Sequence, residues 1–353
     1  MLIENIEAYD IDEINDLLVR NGLTVLEYSS SKLIKYVNDE GKEYPIGWKL
    51  IDTNGVIRGT VFSLMSEYQC KKKKYIASTI STFVIDQGYR GNNAIRLLQK
   101  FINHKNVDLI INGSAIKPVA KRLKKMEFSE MKNSDFKNIY FWITNYQYFL
   151  KFVIKKYNLP SVIFYPLNLF LILIDKLIYF SNNQNSKNIK ILDYLPENYD
   201  SLFKDSSRFG LMKSRKSLYK RIQNGLNKKK CILFFYGDNL GNNGYALVDI
   251  HQYENKEIEK ITIFDILSNN NSEKTINCLV QEIIKYAKKS RYAFVELYGL
   301  PKNMLYLLKK NKPFKRKFET DPFYYKVLNK DLLEVDEFKN WSPTVIDTDR
   351  SFY

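Results

Sequence analysis

The sequence predicts an α/β chain built from two tandem mixed-sheet domains joined by an apolar connecting helix. Three observations predict it. The chain has 353 residues, more than a single hydrophobic core usually serves. Similar segments recur 185 or 186 residues apart. Within each unit, strand-like and helix-like runs alternate, the pattern of a sheet covered by helices.

The first element is Ile6-Glu-Ala-Tyr-Asp-Ile-Asp-Glu-Ile-Asn-Asp-Leu-Leu18, with apolar residues at helical spacing; Ile191-Leu-Asp-Tyr-Leu-Pro-Glu-Asn-Tyr-Asp-Ser-Leu-Phe203 echoes it 185 residues later. Residues 48–64 read strand, Asn-Gly turn, strand; residues 232–250 repeat this around a glycine-bearing turn. Gly59 matches Gly244 at the same offset. A β-rich run, 75–85, breaks into a turn and then a helix with Ala94, Leu97, Leu98 and Phe101 on one face. Val107-Asp-Leu-Ile-Ile-Asn-Gly113 is a short strand before a helix and Lys124-Lys-Met-Glu-Phe128. Its counterpart is Ala293-Phe-Val-Glu-Leu-Tyr-Gly299, a helix, then Lys309-Lys-Asn-Lys-Pro-Phe314. Gly113 to Gly299 and Phe128 to Phe314 are each 186 residues. Closing strands are expected at 140–144 in the first copy and 323–327 in the second. The expected division is a first domain at 1–145, a linker at 146–190 with a polar run at 181–188, a second domain at 191–330, and a docked tail at 331–353.

Composition limits the function classes. A hydrophobic content of 45%, with 14% aromatic residues, excludes wholesale disorder. Cys70, Cys231 and Cys278 lack metal-type spacing, and an odd number argues against a disulfide framework. With His104 and His251 as the only histidines, no histidine-rich metal site is possible, and no metal is expected. A reducing, cytoplasmic setting fits, and the start Met-Leu-Ile-Glu-Asn-Ile-Glu lacks the basic opening of a secretion signal. Residues 162–180 resemble a membrane span, but Pro166, Asn168, Asp175 and Lys176 interrupt them. A span wants roughly 20 apolar residues. A buried or interfacial connecting helix is expected, with loose attachment to a membrane surface left open.

The net charge is +16, with basic clusters at 71–74, 212–230 and 302–317, the last two without an acid. Such a field concentrates anions: phosphorylated cofactors, nucleotide-linked sugars, tRNA or acidic lipid heads. A lysine- and asparagine-rich proteome would produce the same charge without a partner.

The chemistry concentrates in Ile85-Asp-Gln-Gly-Tyr-Arg-Gly-Asn-Asn-Ala-Ile-Arg-Leu-Leu-Gln-Lys-Phe101. Free backbone N–H groups at a helix start, reached through glycines, form an anion site. This turn, in this order of elements, resembles the GNAT N-acyltransferase fold, in tandem form over most of the chain. The resemblance implies an Arg/Gln-x-x-Gly-x-Gly/Ala segment whose amides hold the pyrophosphate of acyl-coenzyme A. Here the register gives Arg90-Gly-Asn-Asn-Ala-Ile95, with Asn93 and Ile95 at the later glycine or alanine positions. Asparagine keeps the N–H and tolerates left-handed turns and caps, although its Cβ crowds the loop. The implied binding set is Phe83, Val84 and Ile85 at the strand end, with Gly88, Tyr89, Arg90, Gly91, Asn92, Asn93 and Ala94 in the turn. Acetyl-CoA or another acyl-CoA is the implied co-substrate, and a β-bulge before the turn is implied to free backbone groups for the thioester. The equivalent junction of the second copy, 263–276, lacks glycine and arginine, and Ser272 or Asn271 would cap its helix. It reads as a degenerate partner shaping the acceptor cleft.

An amine nucleophile needs a base, commonly a carboxylate. Asp86, beside the turn, is the first candidate; a turn-initiating aspartate is its structural alternative. Glu296 is the second, mid-strand and sharing a face with Phe294 and Tyr298, as a cleft wall or on an exposed face. The tyrosine that the family uses as an acid is replaced by Leu123, and the glycine after it by Glu127. The tail, Trp341-Ser-Pro-Thr-Val-Ile-Asp-Thr-Asp-Arg-Ser-Phe-Tyr353, resembles tails of acyltransferase-like proteins in bacterial surface-glycan assembly, as a lid or a stabilising dock. The expected function is transfer of an acyl group, acetyl first, to the amine of a nucleotide-linked sugar. Two alternatives stay open: an aminoacyl-tRNA-dependent transferase, the one reading with a nucleic-acid partner, and an inactive scaffold.

Overall fold

A computed structural model of the chain describes residues 1–23, 44–70, 73–160, 164–179, 188–197, 230–237, 243–253, 258–269, 272–317, 323–334, 341 and 343–348, with scattered positions between 212 and 227. The first unit runs β1 (Leu2–Asn5), α1 (Ile11–Arg20), β2 (Gly47–Ile51), β3 (Ile57–Cys70), β4 (Lys73–Ile85), α2 (Asn92–Ile102), β5 (Leu109–Asn112), α3 (Lys117–Lys125), β6 (Ser129–Glu130) and β7 (Ser134–Ile143). Helices α4 (Tyr146–Tyr157) and α5 (Phe164–Tyr179) come next. The second unit runs β8 (Ile189–Leu192), β9 (Met212–Lys213), β10 (Cys231–Gly237), β11 (Asn243–Tyr253), β12 (Ile258–Ser268), α6 (Glu273–Lys289), β13 (Phe294–Pro301), β14 (Phe314–Lys317), β15 (Tyr324–Val327) and α7 (Asp331–Glu334). Most of the 181–188 run, most of the 212–230 cluster, Lys71 and Lys72, Asn271 and residues 349–353 lie outside the described residues.

Apolar periodicity fixes which face each element buries. Helix α1 turns Ile11, Ile14, Leu17 and Leu18 onto Phe62, Leu64 and Val84. Helix α2 buries Ala94, Leu97, Leu98 and Phe101 on the opposite face of the same sheet. In the second unit α6 buries Ile276, Leu279, Val280 and Ile283 against β10–β13. The duplication extends to register: Gly59 on β3 pairs with Ile85, the last residue of β4, and Gly244 on β11 pairs with Ser268, the last residue of β12.

The sheets do not match the copies. One is ordered β1-β2-β3-β4-β5-β15-β6, with β9 paired to β3; the other is ordered β14-β7-β13-β12-β11-β10-β8. The closing strand of each copy has therefore crossed into the other copy's sheet. This corrects the expectation that each copy closes on its own strand. Strand β7 pairs antiparallel with β13 from Phe294↔Ile143 to Pro301↔Ser134. Strand β15 pairs antiparallel with β5 from Tyr324↔Asn112 to Val327↔Leu109. The physical reason is that two homologous sheets offer equivalent slots, so an apolar closing strand satisfies either one. The choice of slot then rests on the residues around and just beyond the strand. After β7, Asn145 caps α4 by accepting from the Tyr148 N–H, and α4 packs Phe149 and Phe152 on Phe294 of β13. Trp142 is fully buried in the second core, and its Nε1 donates to the Asn311 carbonyl at 2.7 Å.

The described part of the tail docks as a strap. Trp341 packs edge-on to Tyr68, Phe323 and Tyr325, and its carbonyl accepts from Asn133. Val345 and Ile346 then join Tyr245, Leu247, Phe264 and Leu267 on the second sheet. A fragment ending at residue 145 would lack β15 and carry β7 without β13. It is expected to show no cooperative melting transition alone and to regain one when mixed with residues 146–353; a fragment that melts cooperatively on its own would contradict the exchange.

Candidate active site

The site begins with one extra residue. Between β3 and β4, Thr60 pairs with Val84 and Phe62 with Ser81, so Thr82 and Phe83 together face Val61. This is a β-bulge, and it falls at the strand end that the family resemblance implied. Thr82 carries φ = 46°, a left-handed conformation that strains a β-branched residue by about 1–3 kcal/mol. On its other side β4 pairs in parallel with β5 only from Ala77↔Leu109 to Thr79↔Ile111. Past Thr79 the two strands part, leaving the main chain of 80–85 without a strand partner on that side.

The turn after β4 presents donors. Gly91 is the N-cap of α2, with φ = 82° and ψ = −122°, a region open to glycine and hostile to side chains. No side chain caps the helix. Among the described residues no acceptor meets the N–H groups of Gly91, Asn92, Asn93 or Ala94, while Gly91 and Asn92 are exposed. Asn93 sends its side chain back, Nδ2 donating to the Tyr89 carbonyl at 3.1 Å, so its amide does not crowd the opening. Free N–H groups and the helix dipole favour an anion here.

Two arginines meet the turn through different partners. Arg90 folds onto its own strand, Nε donating to the Ile85 carbonyl at 3.1 Å. Arg122, on α3, places Nη1 3.1 Å from the Gly91 carbonyl and so stands beside the donors. Sequence reasoning missed Arg122. The signal was a helix carrying Lys117, Lys121, Arg122, Lys124 and Lys125 with no acid, but nothing in the sequence aims it at a turn 31 residues away.

Neither carboxylate chosen from the sequence stands free. Asp86 accepts from Arg20 Nε at 3.0 Å and from Asn21 Nδ2 at 2.7 Å, with Arg58 Nη1 at 3.5 Å. Burial pushes its carboxyl up, but the hydrogen bonds from Arg20 and Asn21 and the charges beside it win and hold it below its usual range. It latches the end of α1 to the end of β4. Glu296 is buried on β13, between Lys260 Nζ at 2.7 Å and Arg316 Nη2 at 2.8 Å. Burial again raises its carboxyl, and the two cations outweigh this. Glu296 shares its face with Phe294 and Tyr298, as the alternation required, but that face is covered rather than exposed. Leu123 lies in the core, while Glu127 holds φ = 64° and so preserves the backbone that glycine would supply. Among the described residues no cluster of metal-binding side chains occurs.

The second copy keeps the bulge and loses the opening. Leu247 pairs with Asp265 and Val248 with Ile263, leaving Phe264 as the extra residue, and β12 leaves β13 after Ile263↔Leu297. Here Ser272 caps α6, its oxygen accepting from the Thr275 N–H. The tail covers the strand end: Thr344 Oγ1 donates to Asp265 at 3.0 Å, and Phe264 lies under Val345 and Ile346. The tail then reaches the first copy, where Tyr68 donates to Asp347 at 2.7 Å and Thr348 sits against Gly113, at the end of β5. A Cβ on Gly113 would collide with Thr348.

No known family model matches this chain, and no curated protein matches it in sequence. Solved structures match it in fold. A GCN5-related N-acetyltransferase from Anabaena variabilis is 12% identical, covering 93% of this chain and 73% of that one, with a TM-score of 0.57. A conserved Enterococcus faecalis protein of unknown function is 11% identical over 95% and 74%, at 0.61. The N-myristoyltransferase of Saccharomyces cerevisiae, solved with myristoyl-CoA bound, is 10% identical over 92% and 82%, at 0.53. The fold is GNAT-like, in tandem. At these identities the likeness concerns the fold; in GNAT terms, the first copy has the open bulge and the uncapped helix, and the second has neither an open strand end nor a free helix start.

The Asp86 latch has a pH signature. A carboxyl held below its unfolded value adds stability above that value, about 3.9, and loses it as pH falls through the folded one. Asp86→Asn is therefore expected to lower the melting temperature at neutral pH, with the gap to the parent closing below about pH 4. A gap that stays constant down to strong acid would rule the latch out.

Proposed function

We propose that this chain is a coenzyme A-dependent N-acyltransferase whose first copy binds acyl-CoA along residues 83–94. What supports it most is the contrast between two homologous helix starts. Gly91 leaves the amides of α2 free beside a parted strand pair, whereas Ser272 and the tail close the same place in the second copy. The diphosphate of the coenzyme would take the amides of Gly91, Asn92, Asn93 and Ala94, with Arg122 beside them. The pantetheine arm would pair with the open edge of β4, and the bulge at Thr82 and Phe83 would face the thioester. Main-chain N–H groups there suit the oxyanion formed when the amine adds to the carbonyl. Asp86 and Glu296 are neutralised by cations, so neither is assigned the base. Acetyl is the proposed acyl group. The proposed acceptor is the amine of a nucleotide-linked sugar in surface-glycan assembly, in the cytoplasm, a reading that rests on the cationic surface and the tail.

Thermal shift tests it. A ligand at about a hundredfold excess over its Kd adds about 2.7 kcal/mol, a rise of roughly 1–2 °C per kcal/mol in a chain of this size. Acetyl-CoA and coenzyme A are expected to give that rise and bulk tRNA none. Asn92→Pro removes one donor at the first helical position, where proline is tolerated, and is expected to keep the parent melting point and lose the coenzyme response. Arg122→Ala is expected to weaken the response about tenfold or more. A rise with tRNA alone would favour the aminoacyl-tRNA reading, and none with any ligand would favour the scaffold.

A further inference from the structure

Of the two helices after β7, α5 carries its polarity inside out between residues 164 and 173. Helix α4 buries Leu150 and rests Phe149 and Phe152 on Phe294. Helix α5 lies against α4, and between residues 164 and 173 its one amide side chain, Asn168, is turned inward and buried. The outward positions are apolar instead: Tyr165 is 76% exposed, Leu169 65%, Phe170 58% and Leu173 60%. Tyr165, Leu169 and Leu173 fall at four-residue spacing and form one stripe, with Phe170 beside it. A helix on a water-facing surface has the opposite arrangement. A contiguous exposed patch of this kind marks a contact surface.

Charge decides what the patch meets. From residue 136 to residue 174 the sequence has no Asp or Glu, but it has Lys137, Lys151, Lys155 and Lys156. Lys151 and Lys155 are exposed on α4. Two copies joined through this face would bring Lys151 and Lys155 of one copy towards those of the other, with Asp175 the one acid on α5, which disfavours self-association. No helix among the described residues is long and apolar enough to cross a membrane. A helix with an apolar, aromatic outer stripe and a cationic neighbour suits the plane of an anionic bilayer surface.

We propose that the outer face of α5 docks on an anionic lipid surface, its stripe at Tyr165, Leu169, Phe170 and Leu173 entering the headgroup–acyl boundary while Lys151 and Lys155 meet acidic headgroups. The inference is independent of the acyltransferase reading, since none of these residues belongs to the coenzyme site.

Co-sedimentation of the full chain with vesicles tests it, using phosphatidylcholine alone and a mixture of about 3:1 phosphatidylcholine to phosphatidylglycerol. Binding is expected to the mixture and to fall as salt rises. Replacing Leu169, Phe170 and Leu173 together by serine is expected to cut partitioning at least about tenfold. Lys151→Gln and Lys155→Gln are each expected to cut it about fivefold, on the anionic vesicles only. These side chains are exposed, so melting temperature and coenzyme response should match the parent. A Phe170→Trp probe should shift its emission to the blue on binding. Absence of sedimentation, sedimentation that the triple variant retains, or a dimer by light scattering that the triple variant abolishes would each overturn the proposal.

Discussion

Two strands that change places constrain everything else in this molecule. Strand β15 fills the gap between β5 and β6, and β7 fills the gap between β13 and β14, so neither sheet is complete without the other half of the chain. The strand from which β4 parts is held by one of these exchanges. Strand β5 is only Leu109–Asn112, and its outer edge is held by β15. The wall opposite the bulge is therefore supplied in part by residues more than 200 positions downstream. The same crossing carries the chain from β15 through Trp341 and back over the second sheet, which places the tail across both strand ends.

The two copies show how little separates an open site from a closed one. Both have the bulge, and in both the parallel pairing to the next strand ends just before it. They differ at the helix start and in what covers the strand end. In the first copy a glycine with positive φ ends the turn and leaves amides unmet. In the second, a serine oxygen takes the place of an anion, an ordinary N-cap worth about 1 kcal/mol, and tail side chains fill the remaining space. A cap and a ligand compete for the same donors.

Electrostatics sets the state of the two carboxylates attractive in the sequence: each stands among cations, which disfavours taking a proton. A buried ion pair is strongly destabilised when one partner is lost, by about 3–5 kcal/mol, because the other charge stays buried. Glu296 with Lys260 and Arg316 is such an arrangement, and Asp86 with Arg20, Asn21 and Arg58 is its half-buried relative. Taking a proton at either position means releasing cations already in place. The contacts join elements: Glu296 ties β12 and β14 to β13, and Asp86 ties α1 and β3 to the end of β4.

Residue order alone determined the duplication, the α/β class and the turn after β4, because these depend on local periodicity, glycine and spacing. It also narrowed the cap of the second copy's helix to Ser272 or Asn271, and the family resemblance placed the bulge and set Glu127 where a glycine is usual. Tertiary structure decided the rest. Strand exchange joins slots of equal chemistry, and no local pattern prefers one over the other. Arg122 reaches Gly91, and Thr348 reaches Gly113, only after the sheets have formed. Asp86 and Glu296 changed meaning for the same reason: their cations come from α1, β3, β12 and β14, and proximity across that distance is a property of the fold, not of the neighbourhood in sequence.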